Sequence, residues 1–533
     1  MRKILIVTLA LLVGVMASNA FAARSGGPLN TMAPYGGDLY TLDLHKSSRY
    51  QDWLVGMNIH RTLYKWNAQK NEPVPDLAES VSLSDDGLVN TFKLRPNIKF
   101  HNGRQLTADD VIYSYNRIAG MKPTSPALEH VRFIKGVQEV VDGKAETISG
   151  LKKIDDLTFE MTLANPVDIK FSLWLPDTAI VPKEEVERLG DAFGTNPVGC
   201  GPFKFVKWVK GSEVVLEKFP EFYEQGRPYL DKVVFKIMGE AAPRDLAFKA
   251  KELDNTIVGA VNYPEYKSDP VISKNLIEVA EMFTRLVGFN PDFKPFSDKR
   301  VRQAINYAIP ADLIIEKVLK GKAYPARGYL PPTSPAFNPH IKKYEFNTKK
   351  AKQLMKEAGY ENGFVVEQAI GGDNKSWGTG IYEAAMPYLK KIGIELKIQQ
   401  MEGAAMAERI RAMDYQMFIW SLDSGPDPLE VMTRWKSDIT PAAGNYVKYN
   451  NPEFDKYIDM AEATRDQTER IKDIQKAEEI FVDDAPVWFF NYNKAVMAHQ
   501  PWVHGLAAVA PEMMFQDLTN VWVDDTSPRA NMK

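Results

Sequence analysis

Asp423 lies in the tripeptide Asp423-Ser424-Gly425, which has the pattern of the loop that carries a catalytic carboxylate in aspartic proteases. In those proteases two carboxylates share one proton to activate water, so two copies of the pattern are needed. This chain contains one copy, and the symmetric dimers that use a single copy are built from far shorter chains. The sequence therefore favours Asp423 as a turn residue or as a carboxylate that binds a ligand.

The other motifs that would indicate catalysis are missing from the sequence. It contains no G-x-S-x-G nucleophile elbow, no H-E-x-x-H zinc helix, no G-x-x-x-x-G-K-[ST] phosphate loop and no G-x-G-x-x-G dinucleotide turn. Gly199-Cys200-Gly201 begins like the last of these but lacks the third glycine. We predict that the chain is not an enzyme and carries no cofactor, with an exported hydrolase as the alternative.

The histidines and the single cysteine do not indicate a metal site. Only His499 and His504 lie close in sequence, and their spacing of five does not place two ligands on one helix face. Cys200 is the only cysteine, so no intramolecular disulfide forms, and we expect a buried small side chain there. The sequence predicts no metal ligands.

Residues 1–22 have the pattern of a secretory signal peptide. The basic pair Arg2-Lys3 precedes an apolar stretch from Ile4 to Met16 and the small-x-small cleavage site Ala20-Phe21-Ala22. The apolar stretch is shorter than the roughly 20 residues of a spanning helix, and the only cysteine is far from the cleavage site. We predict a soluble exported protein that is not a lipoprotein. It would reside in the periplasm, or in the medium if the source has a single membrane.

Length and charge are typical of a globular protein. The chain has 533 residues, 44% of them hydrophobic, and its 66 Lys and Arg against 69 Asp and Glu give a net charge of -3. Such a length suggests about two to four domains. Because the sequence has no long basic run, we predict no nucleic-acid partner.

Hydrophobic periodicity predicts a mixed α/β fold. Apolar residues alternate from Leu157 to Leu163, which indicates a half-buried strand, and recur at helical spacing between Ser297 and Pro310. Thr107 and Asp110 form a capping-box pattern at the start of another helix. The segment from 382 to 421 alternates helix, strand, helix, strand, which favours a parallel sheet with covering helices.

A series of motifs follows in a fixed order along the chain. They are Pro75-Asp76-Leu77-Ala78-Glu79-Ser80, Ser84-Asp85-Asp86-Gly87, Phe92-Lys93-Leu94-Arg95, Lys99-Phe100-His101-Asn102-Gly103, Leu106-Thr107-Ala108-Asp109-Asp110-Val111, Pro197-Val198-Gly199-Cys200-Gly201-Pro202-Phe203, Pro228-Tyr229-Leu230-Asp231-Lys232-Val233, Phe296-Ser297-Asp298-Lys299-Arg300-Val301-Arg302-Gln303-Ala304 and Asn451-Pro452-Glu453-Phe454-Asp455. Together they resemble the family 5 extracellular solute-binding proteins, the peptide-type receptors of ABC importers. The resemblance covers nearly the whole chain after the signal peptide.

The resemblance implies a two-lobed periplasmic-binding-protein fold of class II, known as a Venus flytrap, with an extra α/β subdomain inserted in lobe I. Such a receptor captures a solute, here most of all an oligopeptide, between two closing lobes and delivers it to an inner-membrane ABC permease for uptake. We expect a monomer. The expected divisions are lobe I from 23–62, 181–283 and 500–533, the inserted subdomain from 63–180, and lobe II from 284–499.

The resemblance also implies a binding site at the end of a strand in lobe II. Peptide-binding relatives carry an aspartate at the position of Asp423 for the ligand's α-ammonium group, and Trp420 and Ser421 precede it on the same strand. A desolvated carboxylate and an ammonium group need each other, because neither is stable when buried alone. Further candidates at the crossings between the lobes are Arg285, Trp488 and Phe490.

The sequence departs from the dipeptide-binding relatives at one place. Those relatives carry an arginine for the ligand's carboxylate ahead of the helix that precedes the strand at Ile394, whereas the segment from Gly371 to Trp377 has none. Lys375 lacks the bidentate geometry of a guanidinium. We therefore favour longer peptides over free dipeptides. The alternatives are an opine, an oligosaccharide, a metal complex or haem as solute, or a chaperone or sensory receptor on the same fold.

Overall fold

The computed structural model describes residues 26–34, 37–373, 377–464 and 466–530. The expected signal peptide, residues 1–22, and Lys375 lie outside the described residues. Across the described ranges, no helix has both the length and the apolar character that crossing a membrane requires.

The described chain contains both strands and helices along its whole length. The strands are β1 (Pro28–Ala33), β2 (Tyr64–Asn67), β3 (Glu72–Pro75), β4 (Ala78–Leu83), β5 (Val89–Leu94), β6 (Leu151–Lys153), β7 (Thr158–Thr162), β8 (Phe203–Val209), β9 (Glu213–Lys218), β10 (Lys232–Ile237), β11 (Asn255–Ile257), β12 (Leu276–Phe289), β13 (Ala323–Pro325), β14 (Phe364–Gly371), β15 (Ile394–Gln400), β16 (Met417–Asp423), β17 (Val487–His499), β18 (Val503–His504) and β19 (Trp522–Val523). The α-helices are α1 (Tyr50–Gly56), α2 (Ala108–Gly120), α3 (Val137–Val141), α4 (Lys170–Leu173), α5 (Lys183–Leu189), α6 (Ala241–Lys249), α7 (Tyr263–Ser268), α8 (Lys294–Ser297), α9 (Lys299–Ala308), α10 (Ala311–Lys317), α11 (Thr348–Glu357), α12 (Thr379–Leu389), α13 (Gly403–Arg411), α14 (Pro428–Thr433), α15 (Pro452–Ala463) and α16 (Gln467–Asp484).

Three sheets build most of the fold. The largest has the strand order β11-β17-β12-β16-β14-β15, with β13 beside β17, and mixes antiparallel and parallel pairs. A second sheet has the order β1-β10-β9-β8, and a third, antiparallel sheet has the order β4-β5-β7-β6. The hairpin β2-β3 and the pair β18-β19 complete the described sheets.

The local sequence predictions are confirmed. The alternating segment from Leu157 forms β7, and the helical spacing after Ser297 forms α9. The backbone N–H of Thr107 donates to Asp110 Oδ2 at 2.9 Å, as a capping box requires. In the segment from 382 to 421, α12, β15, α13 and β16 alternate, and β14 pairs in parallel with both strands. The mixed α/β class follows from the sequence alone.

The hydrophobic core divides into two parts. Most core residues from Leu29 to Met282 and from Ala495 to Val523 pack together, whereas those from Leu286 to Tyr492 form two clusters. Neighbouring residues of β12 alternate between these two clusters, so the clusters cover opposite faces of the largest sheet. We call residues 26–282 and 495–530 lobe I and residues 283–494 lobe II. The finer boundaries expected from the sequence stay predictions.

The cysteine lies in lobe I. Cys200 is fully buried, as expected, and burial raises the pKa of its thiol to about 12. The thiolate form is therefore scarce at neutral pH, and the residue acts as a small core side chain.

Gly288 shows how closely the strands of lobe II approach. It pairs with Phe418 across β12 and β16, and a Cβ atom at Gly288 would lie 2.1 Å from Cε1 of the Phe418 ring. We expect Gly288→Ala to lower the free energy of unfolding of lobe II by about 1–3 kcal/mol, because the ring has to shift within a packed core. Urea unfolding followed by tryptophan fluorescence measures this loss.

Gly259→Ala is the matched control. Apart from Gly259 itself and its two neighbours in the chain, no described atom lies within 4 Å of a Cβ atom at that position. The two variants should therefore differ clearly in unfolding free energy, and equal stability would contradict the close approach at Gly288.

Candidate ligand-binding site

Asp423 is the last residue of β16. It lies beside the residue of β12 at which lobe II begins. It stands opposite Phe283 in the pairing of β12 with β16. The backbone N–H of Gly425 donates to Asp423 Oδ1 at 2.7 Å, and the hydroxyl of Tyr329 donates to the Asp423 carbonyl oxygen at 2.6 Å. These bonds fix the turn after the strand and hold the backbone of Asp423 in place.

The Asp423 carboxylate has an unusual electrostatic environment. Solvent reaches the side chain, yet protein surrounds it on most sides, and this burial raises the pKa of its carboxyl group. The N–H of Gly425 and the charge of Arg434 act in the opposite direction but do not outweigh burial. No ion pair joins Asp423 to any of the described side chains, so a cationic group of a ligand could provide the missing charge.

Two charged residues, Glu430 on α14 and Arg434 directly after it, belong to the same site, and sequence reasoning missed them. The helix begins after Asp427, whose side chain accepts a hydrogen bond from the Leu429 N–H at 3.0 Å. Glu430 and Arg434 follow four residues apart, which places them on one helix face. Recognising Asp427-Pro428 as a helix start would have revealed this pair.

The charges of Glu430 and Arg434 act on each other and on Asp423. Burial and the charges of Asp427 and Asp423 raise the pKa of Glu430. Arg434 donates to Tyr329 Oη at 3.1 Å. Its charge acts to lower the pKa of Asp423 and of Glu430. Two incompletely neutralised carboxylates therefore share one side of the site.

Lobe I supplies the opposite side of the site. Burial raises the pKa of Tyr50 on α1, and the charge of Asp423 raises it further. Burial alone would lower the pKa of His130, but a hydrogen bond with Asp177 at 2.9 Å raises it, and the charge of Glu430 adds to this. These electrostatic interactions show that Tyr50 and His130 of lobe I lie near the carboxylates of lobe II, and we call the region between them the cleft. No local pattern in the sequence indicated Tyr50 or His130.

One edge of β16 is unpaired over most of its length. All seven residues of β16 pair with β12, but on the other side only Met417 and Phe418 pair with β14. From Ile419 to Asp423 no other strand of the described ranges covers that edge. Backbone N–H and C=O groups there can bind an extended chain in the manner of an added strand.

Ser421 and Arg285 lie on the same sheet face as Asp423. They stand opposite each other in the β12–β16 pairing, two residues before the end of the strand. Arg285 Nη2 donates to Asn493 Oδ1 at 2.9 Å, and burial lowers the pKa of the guanidinium to about 10 despite the nearby Glu281. Arg285 therefore already forms a hydrogen bond between β12 and β17, the two strands that connect the lobes.

Trp420, Trp488 and Phe490 occupy different surroundings. Trp420 is half-buried on the opposite face of β16, and its ring is parallel to that of Tyr446 with centroids 6.5 Å apart. Trp488 and Phe490 are only 3% and 0% exposed and pack in the lobe II core. Core packing leaves their rings almost no surface for a ligand, and the expectation that they line the cleft stays a prediction.

The fold and this cleft are those of a two-lobed solute-binding protein. The family model for bacterial extracellular solute-binding proteins, family 5, middle region, matches residues 72–442. The chain belongs to this family.

Known proteins similar to the chain carry different ligands in their names. Heme-binding protein A of Haemophilus influenzae is 30% identical over 450 residues, which is 80% of each chain. The oligopeptide-binding protein AppA of Bacillus subtilis is 29% identical over 517 residues, which is 91% of each chain. The structure of the periplasmic binding protein DppA of Helicobacter pylori in complex with the peptide STSA is 27% identical with a TM-score of 0.74. It covers 94% of this chain and 98% of that one.

Removing the Arg434 charge tests the electrostatics of the cleft. Because this charge lowers the pKa of Asp423, we expect Arg434→Met to raise that pKa in the ligand-free protein. Carboxyl ¹³C chemical shifts followed over pH measure the change. Arg411, on α13, is not among the groups that act on the pKa of Asp423, so Arg411→Met should leave the titration unchanged. The same titration in all three proteins would contradict the arrangement.

Proposed function

We propose that this solute-binding protein captures an oligopeptide in the cleft between its lobes and delivers it to an ABC permease of the inner membrane. The observation that carries the proposal is the position of Asp423, a carboxylate without an ion-pair partner among the described residues, at the end of a strand with an open edge. An extended peptide could pair its backbone with that edge. Its α-ammonium group would then form a charge-assisted hydrogen bond with Asp423.

Because one side of the cleft lies on each lobe, binding of the ligand is coupled to closure of the lobes. A peptide held by Asp423 and the β16 edge would also touch Tyr50 and His130 across the cleft. Because a ligand that contacts both lobes binds the closed form more tightly, it favours closure. We further propose that the protein acts as a soluble monomer in the periplasm, without catalysis, cofactor or nucleic-acid partner.

Acetylation of the peptide tests the role of the ammonium group. We expect wild-type protein to bind peptides of two to five residues about 30-fold or more tightly with a free N-terminus than with an acetylated one, because acetylation leaves Asp423 unpaired. In Asp423→Asn this difference should vanish. Isothermal titration calorimetry measures both affinities.

Asp438→Asn is the matched control, because Asp438 is an exposed aspartate of the same lobe. It should retain the full preference for a free N-terminus. Tight binding of acetylated peptides by wild-type protein would contradict the role of Asp423. Binding of haem or an opine with no peptide bound at all would contradict the peptide assignment but leave the receptor class in place.

The pH dependence of binding provides a separate test. The pKa of Asp423 in the free protein lies above the ordinary 3.8, and only the ionised form pairs with an ammonium group. Affinity should therefore fall as the pH is lowered from about 7 to 4, beginning at a higher pH than for an ordinary aspartate. Asp423→Asn should lack this loss. A wild-type affinity that is constant over this range would contradict the proposed pairing.

A further inference from the structure

Tyr329 forms hydrogen bonds with both Asp423 and Arg434. Its side chain is fully buried, and its ring packs edge-on against Trp435 with the ring centroids 5.6 Å apart. The hydroxyl donates to the Asp423 carbonyl oxygen at 2.6 Å and accepts from Arg434 Nη1 at 3.1 Å. A phenol hydroxyl has one hydrogen to donate and lone pairs to accept, so both bonds can exist together. Tyr329 therefore links the end of β16 to the guanidinium of Arg434.

The backbone around Tyr329 is anchored on both sides. The hydroxyl of Thr284 on β12 donates to the Tyr329 carbonyl oxygen at 2.6 Å. The N–H of Leu330 donates to Glu478 Oε1 on α16 at 2.8 Å. Because the ring is closely packed and the backbone is held, Tyr329 has little freedom to follow a movement of the Arg434 side chain.

Arg434 lies near two carboxylates but forms no ion pair with either of them. The Tyr329 hydroxyl and, after it, the charges of Asp423 and Glu430 raise the pKa of the Arg434 guanidinium, although burial lowers it. The charge of Asp423 acts on Arg434 more strongly than that of Glu430. Among the described residues, Tyr329 is nevertheless the only partner that the guanidinium contacts directly. Coulomb attraction would draw an unrestrained guanidinium to Asp423.

We propose that Tyr329 is a positioning residue, whose hydroxyl holds the Arg434 guanidinium away from the Asp423 carboxylate and so leaves that carboxylate free for the ammonium group of a ligand. This role rests on the proposed peptide-binding function, because it concerns the availability of Asp423 to an ammonium group. A direct pair of Arg434 with Asp423 would neutralise the carboxylate within the protein, and a ligand would have to displace the guanidinium.

Tyr329→Phe tests the restraint in the ligand-free protein. This variant keeps the buried ring and removes the hydroxyl, so Arg434 should move to Asp423 and lower the pKa of that carboxyl by about 0.5 or more. Carboxyl ¹³C chemical shifts followed over pH measure the change. The double variant with Tyr329→Phe and Arg434→Met should titrate like Arg434→Met, because no guanidinium is left to move. A purely structural effect of the lost hydroxyl on the turn after β16 would instead persist in the double variant.

Peptide binding provides the second measurement. By calorimetry, Tyr329→Phe should bind peptides of two to five residues with a free N-terminus about three- to tenfold more weakly than the wild type, and adding Arg434→Met should restore the affinity. Tyr344→Phe is the matched control, because the Tyr344 hydroxyl also donates to a backbone carbonyl, that of Val482 at 3.1 Å, and does not act on the pKa of Asp423. It should leave the titration and the affinity unchanged.

The titration requires no ligand, so it tests the role of Tyr329 separately from the peptide assignment. The proposal is overturned if the pKa of Asp423 in Tyr329→Phe is unchanged or raised, or if Arg434→Met abolishes neither the lowered pKa nor the loss of affinity. The expected titration without any peptide binding would contradict the peptide assignment alone. If Tyr329→Phe does not fold, NMR of the wild-type Arg434 guanidinium decides. Separate, slowly exchanging Nη signals are expected for the hydrogen-bonded group, and free rotation would overturn the proposal.

Discussion

The pairing of β12 with both β16 and β17 is the constraint on which the rest of lobe II and the cleft depend. The core changes from one lobe to the other along β12 and again along β17, so these two strands carry the connection between the lobes. The register of β12 with β16 sets Asp423 opposite Phe283, at that crossing. A group bound at Asp423 therefore lies beside the two strands that connect the lobes, where a change in strand geometry would alter the angle between the lobes.

The cleft also contains carboxylates whose charge is incompletely neutralised. Asp423 and Glu430 are carboxylates with raised pKa values, and Arg434 is the nearby cation that lowers both. Protein surrounds these carboxylates on most sides although solvent still reaches them, and a cationic group of a ligand would offset part of their desolvation cost when it enters. The open edge of β16 adds directional hydrogen bonds that a compact cation could not use. Charge and backbone geometry together favour an extended ligand with a free ammonium group.

The sequence could predict those features that depend on neighbours along the chain. The strand before Asp423 and the alternation of α12, β15, α13 and β16 follow from local patterns. Tyr50 reaches the site only through tertiary packing, so no pattern in its own segment indicated it. The expectation that Trp488 and Phe490 line the cleft rests on their position near the point where the chain passes from lobe II back to lobe I. However, the continuous apolar run from Val487 to Phe490 is typical of a strand buried on both faces, and the structure places them in the core.

Amide hydrogen exchange at single-residue resolution tests the central claim most directly. The protein is compared with and without the tightest binder among peptides of two to five residues with free N-termini. The account predicts that exchange slows at outward-facing backbone N–H groups between Ile419 and Asp423, because the peptide pairs with that edge. Peptide binding with unchanged exchange in this segment, and protection elsewhere, would contradict the account.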